Sequence, residues 1–255
     1  MDIVKTDFRE QKPRTDGITM VLDKGLGTHA IEDMLETAGV YIDYVKLGWG
    51  TSFISPNLQT KINLYHKHDI PVCLGGTAFE FAYLNNKVDE FVDILNDLGL
   101  EMLEVSDGTV EISRKEKLKA IEKLSKNFKV LSEFGSKNPD LLISPKHWIK
   151  GMNEELEAGA HTIIAEGRES GTAGIYRANQ EIRTGLVEDI LSEVPREKIL
   201  WEAPEKMHQS WFIKLLGPNV SLGNIPPSDA LALETLRLGL RSDTLLHIHH
   251  KFYTS

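Results

Sequence analysis

Short apolar, β-branched runs alternate along the chain with longer segments whose apolar residues recur every three or four positions. Eight runs read as strands: ITMVLDKG from residue 18, YIDYVKLGWG from 41, IPVCLGGT from 70, LEMLEVSDG from 100, KVLSEFGSK from 129, HTIIAEGRESG from 161, ILWEAP from 199 and NVSLGNI from 219. The segments between them carry helix signals. Thr77-Ala78-Phe79-Glu80 and Ser113-Arg114-Lys115-Glu116 read as capping boxes, in which hydroxyl and carboxylate satisfy orphan N–H groups reciprocally. Ser55-Pro56 and Ser144-Pro145 place a cap before a first-turn proline. Gly39, Gly99, Gly159 and Gly217 stand where helices should stop. Phe81, Leu84, Val88, Phe91, Val92 and Leu95 predict a one-faced apolar stripe.

Eight strand–helix units in 255 residues match the size of a (β/α)8 barrel. The rival is an open doubly wound sheet, which often carries a GxGxxG turn after its first strand. Here Gly25-Leu26-Gly27 is followed by His29-Ala30, with no third glycine in place. The expected fold is therefore α/β, a single TIM barrel over residues 1–255, with 1–16 a polar N-terminal arm and 246–255 a C-terminal tail.

Composition narrows the function. The net charge of −9 argues against a general nucleic-acid or acidic-membrane partner, and leaves an anionic small molecule open because local charge can oppose the net. The single cysteine, Cys73, excludes an internal disulfide, and its neighbours Pro71, Val72 and Leu74 mark it as a buried strand residue. The N-terminus has no apolar signal core, and no run approaches the ~18 apolar residues of a membrane span, so a cytoplasmic protein is expected.

Polar residues gather at the C-terminal ends of the strands, the face on which a barrel carries its chemistry. Glu104, Glu133, Glu166 and Glu202 follow apolar residues on four consecutive strands, so inward alternation can aim them at one volume. Carboxylates gathered there repel unless cations join them. A divalent ion with oxygen ligands, Mg2+ first, is one partner. Lys24, Lys46, Lys137 and Arg168 are the other, as salt bridges without metal. Arg168 has the planar fork that suits carboxylate or phosphate. Ser170 adds a hydroxyl, and the glycines around Gly76, Gly167 and Asn224 let backbone N–H groups approach a ligand. Together these read as a site for a small, phosphorylated polyanion. Elsewhere, His247, His249 and His250 read as part of a flexible tail, and His66 and His68 as surface. RKEKLKAIEKLSK reads as a solvated helix face, and Arg237 and Arg241 as structural.

The blocks LDKG, YIDYVKLGWGTS, GGTAFE, EVSDGT, LSEFGSK, AEGRESG, EAPEK and LETLRLGLRSDT, in this order over residues 12–245, resemble the phosphosulfolactate synthase family of coenzyme M and sulfolactate biosynthesis. The resemblance implies a (β/α)8 barrel and a homotrimer. The implied activity is Mg2+-dependent addition of sulfite to phosphoenolpyruvate, giving (2R)-phospho-3-sulfolactate through an enolate-like intermediate. It implies Lys137 as the acid, its pKa lowered by neighbours. Lys24, Lys46 and Arg168 would hold the substrate anions, with Ser170, Gly76 and Asn224 beside them. Glu133 and Glu166 come first as metal ligands, Glu104 and Glu202 next. Two other readings use the same residues: a Schiff-base aldolase acting on a phosphorylated acid through Lys46 or Lys137, and a non-catalytic, stress-related relative.

Overall fold

Each of the eight expected runs forms a strand. The structure is a computed structural model describing residues 3–138 and 140–254. The elements run β1 (Thr19–Asp23), α1 (Thr28–Ala38), β2 (Tyr44–Leu47), α2 (Leu58–His66), β3 (Val72–Leu74), α3 (Gly76–Leu84), α4 (Val88–Asp97), β4 (Met102–Val105) and α5 (Arg114–Leu124). They continue β5 (Lys129–Phe134), α6 (Pro145–Glu157), β6 (Thr162–Ala165), α7 (Thr184–Glu193), β7 (Ile199–Glu202), α8 (Lys206–Leu216), β8 (Leu222–Ile225), α9 (Ala230–Arg237) and α10 (Leu245–Ile248).

Among the described residues the named strands pair in parallel, in the order β3-β2-β1-β8-β7-β6-β5-β4. Among the described residues the ladder opens only between β3 and β4. A side chain spans that seam: Gly76 N–H, just past β3, donates to Glu104 Oε1 on β4 at 2.6 Å. The result is a nearly closed (β/α)8 barrel. Strand side chains alternate between two cores. Met20, Cys73, Met102, Leu131, Ile164 and Leu200 fill the barrel interior. Val21, Val45, Leu103, Val130, Ile163 and Trp201 belong to the larger layer between sheet and helices. Among the described residues no helix is long and apolar enough to cross a membrane.

Several local expectations change. The Ser113–Glu116 capping box forms, and Ser144 caps α6 with Pro145 in its first turn. Thr77 caps nothing: α3 begins at Gly76, and Glu80 is buried, accepting from Ser106 Oγ and Thr109 N–H instead. Ser55-Pro56 precedes α2 without capping it, since the helix starts at Leu58 after Asn57. The stripe from Phe81 to Leu95 is broken into α3 and α4, leaving Phe81 and Leu84 exposed while Phe91 and Leu95 are buried. The histidine-rich end is not a loose tail. Residues 245–253 are helical, Phe252 stacks on Phe8 at 4.6 Å, and Tyr253 OH donates to Lys5 O at 3.2 Å, so the arm and the C-terminal segment clasp each other.

Arg237 is fully buried at the N-terminal end of the barrel. Its guanidinium donates to Pro218 O at 2.5 Å, Val220 O at 2.7 Å and Ile18 O at 3.2 Å, tying the entries of β8 and β1. Burial, then Arg9 nearby, lower its pKa to about 9. Arg237→Met is expected to cost about 3–5 kcal/mol by leaving three carbonyls and Glu234 short of partners. Thermal melting checks this, with turnover per folded molecule unchanged because the opposite face carries the candidate site.

Candidate active site

Four strands deliver glutamates by one device. On β4 to β7 an inward apolar residue is followed two positions later by a glutamate: Met102 and Glu104, Leu131 and Glu133, Ile164 and Glu166, Leu200 and Glu202. Side chains two apart on a strand share a face, so each carboxylate rises directly above the interior core. None is more than 3% exposed. β2 contributes Lys46 to the same face.

Lys46 lies between two of them, its Nζ 3.1 Å from Glu104 Oε2 and 3.1 Å from Glu202 Oε1. Glu202 Oε2 accepts from Gly167 N–H at 2.9 Å. Lys137, beyond β5, pairs with Glu133 Oε1 at 2.9 Å and stands 3.9 Å from Glu166 Oε2. Ser106 Oγ also donates to Glu133 Oε1, at 2.8 Å. Glu166 Oε1 accepts from Arg168 N–H at 2.7 Å, while Glu166 Oε2 is buried without a hydrogen-bond donor. Gly174 explains how the following loop folds back here: a Cβ at its position would meet Glu166 O at 1.9 Å, and its φ is +59°.

The field separates these carboxyls. Burial, then Glu133 and Glu202, push Glu166 well above the usual carboxylate range. Burial acts the same way on Glu133, yet Lys137 and Lys46 outweigh it and hold that carboxyl low. Burial pushes Glu104 up to about 7, even with Lys46 opposing. Lys137 runs against expectation. Burial would lower its pKa, but Glu133 and Glu166 raise it, so Lys137 is an ammonium held by carboxylates and not an acidified lysine.

The cavity above these groups measures about 260 Å3 and is lined by Lys46, Trp49, Gly76, Glu104, Glu133, Lys137, Glu166, Arg168, Glu202 and Asn224, among others. It lies below the usual range of drug-sized pockets and suits a ligand of a few carbon atoms. Asn224 presents a buried Oδ1 with no hydrogen-bond partner, from a backbone at φ +54°. The amide of Gly76 is already engaged by Glu104. Glu169 lines the rim and is exposed. Two expected contributors stand apart. Lys24 is exposed and lies over the Trp49 ring at 4.6 Å, outside the lining. Ser170 turns to Thr172, Oγ to Oγ1 at 2.7 Å, and does not line the cavity either. Residues that the sequence reading passed over are Ser106, which bridges Glu80 and Glu133, Thr109 and Trp49. Serine in a Ser-Asp-Gly strand end is a common turn residue, so only its contacts single it out.

Glu133, Glu166 and Glu202 each offer an oxygen within 4.8 Å of the others. An all-oxygen set with an unpartnered buried carboxylate oxygen fits a hard divalent cation such as Mg2+. Fully ionised, the four glutamates exceed Lys46 and Lys137 by two negative charges, the deficit such an ion would fill. Glu104 falls outside the trio, committed to Lys46 and Gly76.

Comparison with known proteins supplies the remaining observations. The sequence profile of (2R)-phospho-3-sulfolactate synthase (ComA) matches residues 7–243. A phosphosulfolactate synthase from Methanothermobacter thermautotrophicus is 44% identical over 246 residues, covering 94% of this chain and 95% of the relative. Another from Bacillus subtilis is 44% identical over 239 residues, covering 92% and 95%. Among solved structures, the YdjI aldolase from Escherichia coli superposes with a TM-score of 0.58 at 9% identity, covering 92% of this chain and 90% of that one, a likeness of fold alone.

Proposed function

The chain belongs to the (2R)-phospho-3-sulfolactate synthase family, and on that premise we propose that its barrel mouth adds sulfite to phosphoenolpyruvate with Mg2+ bound, a lyase-class carbon–sulfur bond formation. The observation that carries this is the trio Glu133, Glu166 and Glu202 beside Lys46 and Lys137 in a small closed-bottom cavity. We also propose a cytoplasmic homotrimer without nucleic-acid or membrane partners; the acidic net charge of −9 supports the last point.

The sulfur lone pair of sulfite attacks the terminal CH2 carbon. The π electrons move toward C2 and the carboxylate, where a second negative charge develops, and one proton on C2 completes the product. Glu133 and Glu166, with Glu202 next, would hold Mg2+, which when bound would supply positive charge beside the substrate carboxylate. Lys46 is fixed between Glu104 and Glu202 and adds charge without reorganising. Lys137 carries the proton. Its raised pKa makes it a weak acid, but a carbanion-like C2 is a strong base, so transfer from an ammonium runs downhill. Arg168 at the rim meets the anionic groups of the substrate, and Asn224 lines the same cavity. A Schiff base needs a neutral amine, and both lysines are held as ammonium by carboxylates.

Protein, Mg2+, sulfite and phosphoenolpyruvate together should form a sulfonate product that a chelator abolishes. Glu166→Gln should weaken Mg2+ binding, read by calorimetry, by about 10- to 100-fold, because it removes a charged oxygen from the trio. Absence of product across metals and pH would sink the synthase reading, and unchanged Mg2+ affinity would remove Glu166 from the ligand set.

A further inference from the structure

Lys117 is completely buried in α5, within the segment that reads from sequence as a solvated face. Its ammonium donates to Asp107 Oδ1 at 2.6 Å and to the backbone carbonyl of Glu133 at 2.7 Å, and pairs with Glu155 Oε1 at 3.0 Å. Glu155 is itself fully buried, accepting from Ser132 Oγ at 2.6 Å and from Arg114. A buried ammonium is costly beside an apolar side chain of the same length, so packing alone does not call for lysine here. What the charge reaches is informative. One contact holds the carbonyl of the residue whose carboxylate pairs with Lys137. Another holds Asp107, the turn residue before Gly108. Gly108 lies close against Lys137: a Cβ there would stand 3.1 Å from Lys137 Cγ, and Gly108 O accepts from Lys137 N–H at 3.4 Å. Two routes from one ammonium therefore converge on the Lys137–Glu133 pair.

We propose that Lys117 is a positioning residue for the reaction, holding the Asp107–Thr109 loop and the end of β5 so that Lys137 and Glu133 keep their register over the cavity. The role rests on the synthase reading for its catalytic readout. It has a second readout that needs no turnover.

Three variants of the full chain test it: Lys117→Met, Lys117→Arg and Asp107→Asn. Lys117→Met should lower kcat per folded molecule by about a hundredfold, with KM for phosphoenolpyruvate within about threefold, the scale of a small misplacement of catalytic groups. Lys117→Arg keeps the charge and should recover roughly tenfold of that loss. Asp107 is partly exposed, so Asp107→Asn folds where Lys117→Met fails to, and should lower kcat about tenfold. In the ligand-free protein, hydrogen exchange at the amides of Gly108, Thr109 and Lys137 should quicken in Lys117→Met and Asp107→Asn, and stay unchanged in β8. A lower melting temperature with kcat unchanged would overturn the proposal, as would unchanged exchange at those three amides. Wild-type protein that forms no product refutes the synthase reading instead, and the exchange measurement still decides the role of Lys117.

Discussion

Lys46→Met is expected to lower the melting temperature by on the order of 10 °C and turnover by more than about a hundredfold. The ammonium of Lys46 is almost fully buried and serves two carboxylates at 3.1 Å each. Methionine fills similar volume but leaves Glu104 and Glu202 facing each other without a cation. Removing one member of a buried ion pair costs about 3–5 kcal/mol, because the remaining charge is stranded. The deficit should depend on pH. Glu104 already titrates at about 7, above the ordinary 4.5 of a glutamate, with Lys46 pulling it down. Without Lys46 its folded-state pKa rises further, so the folded state binds more protons than the unfolded chain above pH 4.5. Stability then falls as pH rises through that window. Denaturation of Lys46→Met and the parent protein at pH 5 and pH 8 should show the larger gap at pH 8. An equal gap at both would mean that Glu104 does not depend on Lys46 for its charge.

The barrel itself was legible because its signals are periodic. Eight apolar runs, each ending in glycine or charge, survive as eight strands even where helix caps shift by a few residues. The glutamates were legible for the same reason: two-residue alternation above Met102, Leu131, Ile164 and Leu200 fixes their face. Groups set by loops were not. Lys24 follows Asp23, whose carboxylate accepts from Gly25 and Leu26 N–H at 2.7 Å each, a turn that carries the lysine outward to Trp49. Ser170 sits in a loop folded back on itself through Gly171 and Gly174, so proximity to Arg168 in sequence does not bring it to the cavity. Lys117 had a usable signal that its charged surroundings masked. Lys117, Ile121 and Leu124 fall at i, i+4 and i+7, one helical face, and all three are buried. The sign of the Lys137 shift could not be read from sequence at all, since it depends on Glu133 at 2.9 Å, Glu166 and Glu80 together outweighing burial.

Lys137→Ala should reduce kcat by about 10^3-fold or more, within the span attributed to a positioned proton donor together with its charge. Alanine removes the ammonium from Glu133 and Glu166 at once, but Glu133 keeps Ser106 Oγ at 2.8 Å and lies near enough to Lys46 to be held low by it. The fold should therefore survive, and circular dichroism should be unchanged. Lys137→Arg separates the two duties of this side chain. Arginine restores a cation over the same carboxylates but does not give up a proton at accessible pH. If Lys137 delivers the proton to C2, Lys137→Arg stays as slow as Lys137→Ala. Solvent-derived deuterium would then enter C2 without facial preference in whatever product forms. If Lys137 serves only as a counter-charge, arginine recovers most of the rate and the product keeps a single configuration. Lys137 Nζ stands 2.9 Å from Glu133 Oε1 and 3.9 Å from Glu166 Oε2 at the cavity wall, a position that serves either duty, so the rate and product configuration of Lys137→Arg decide between them.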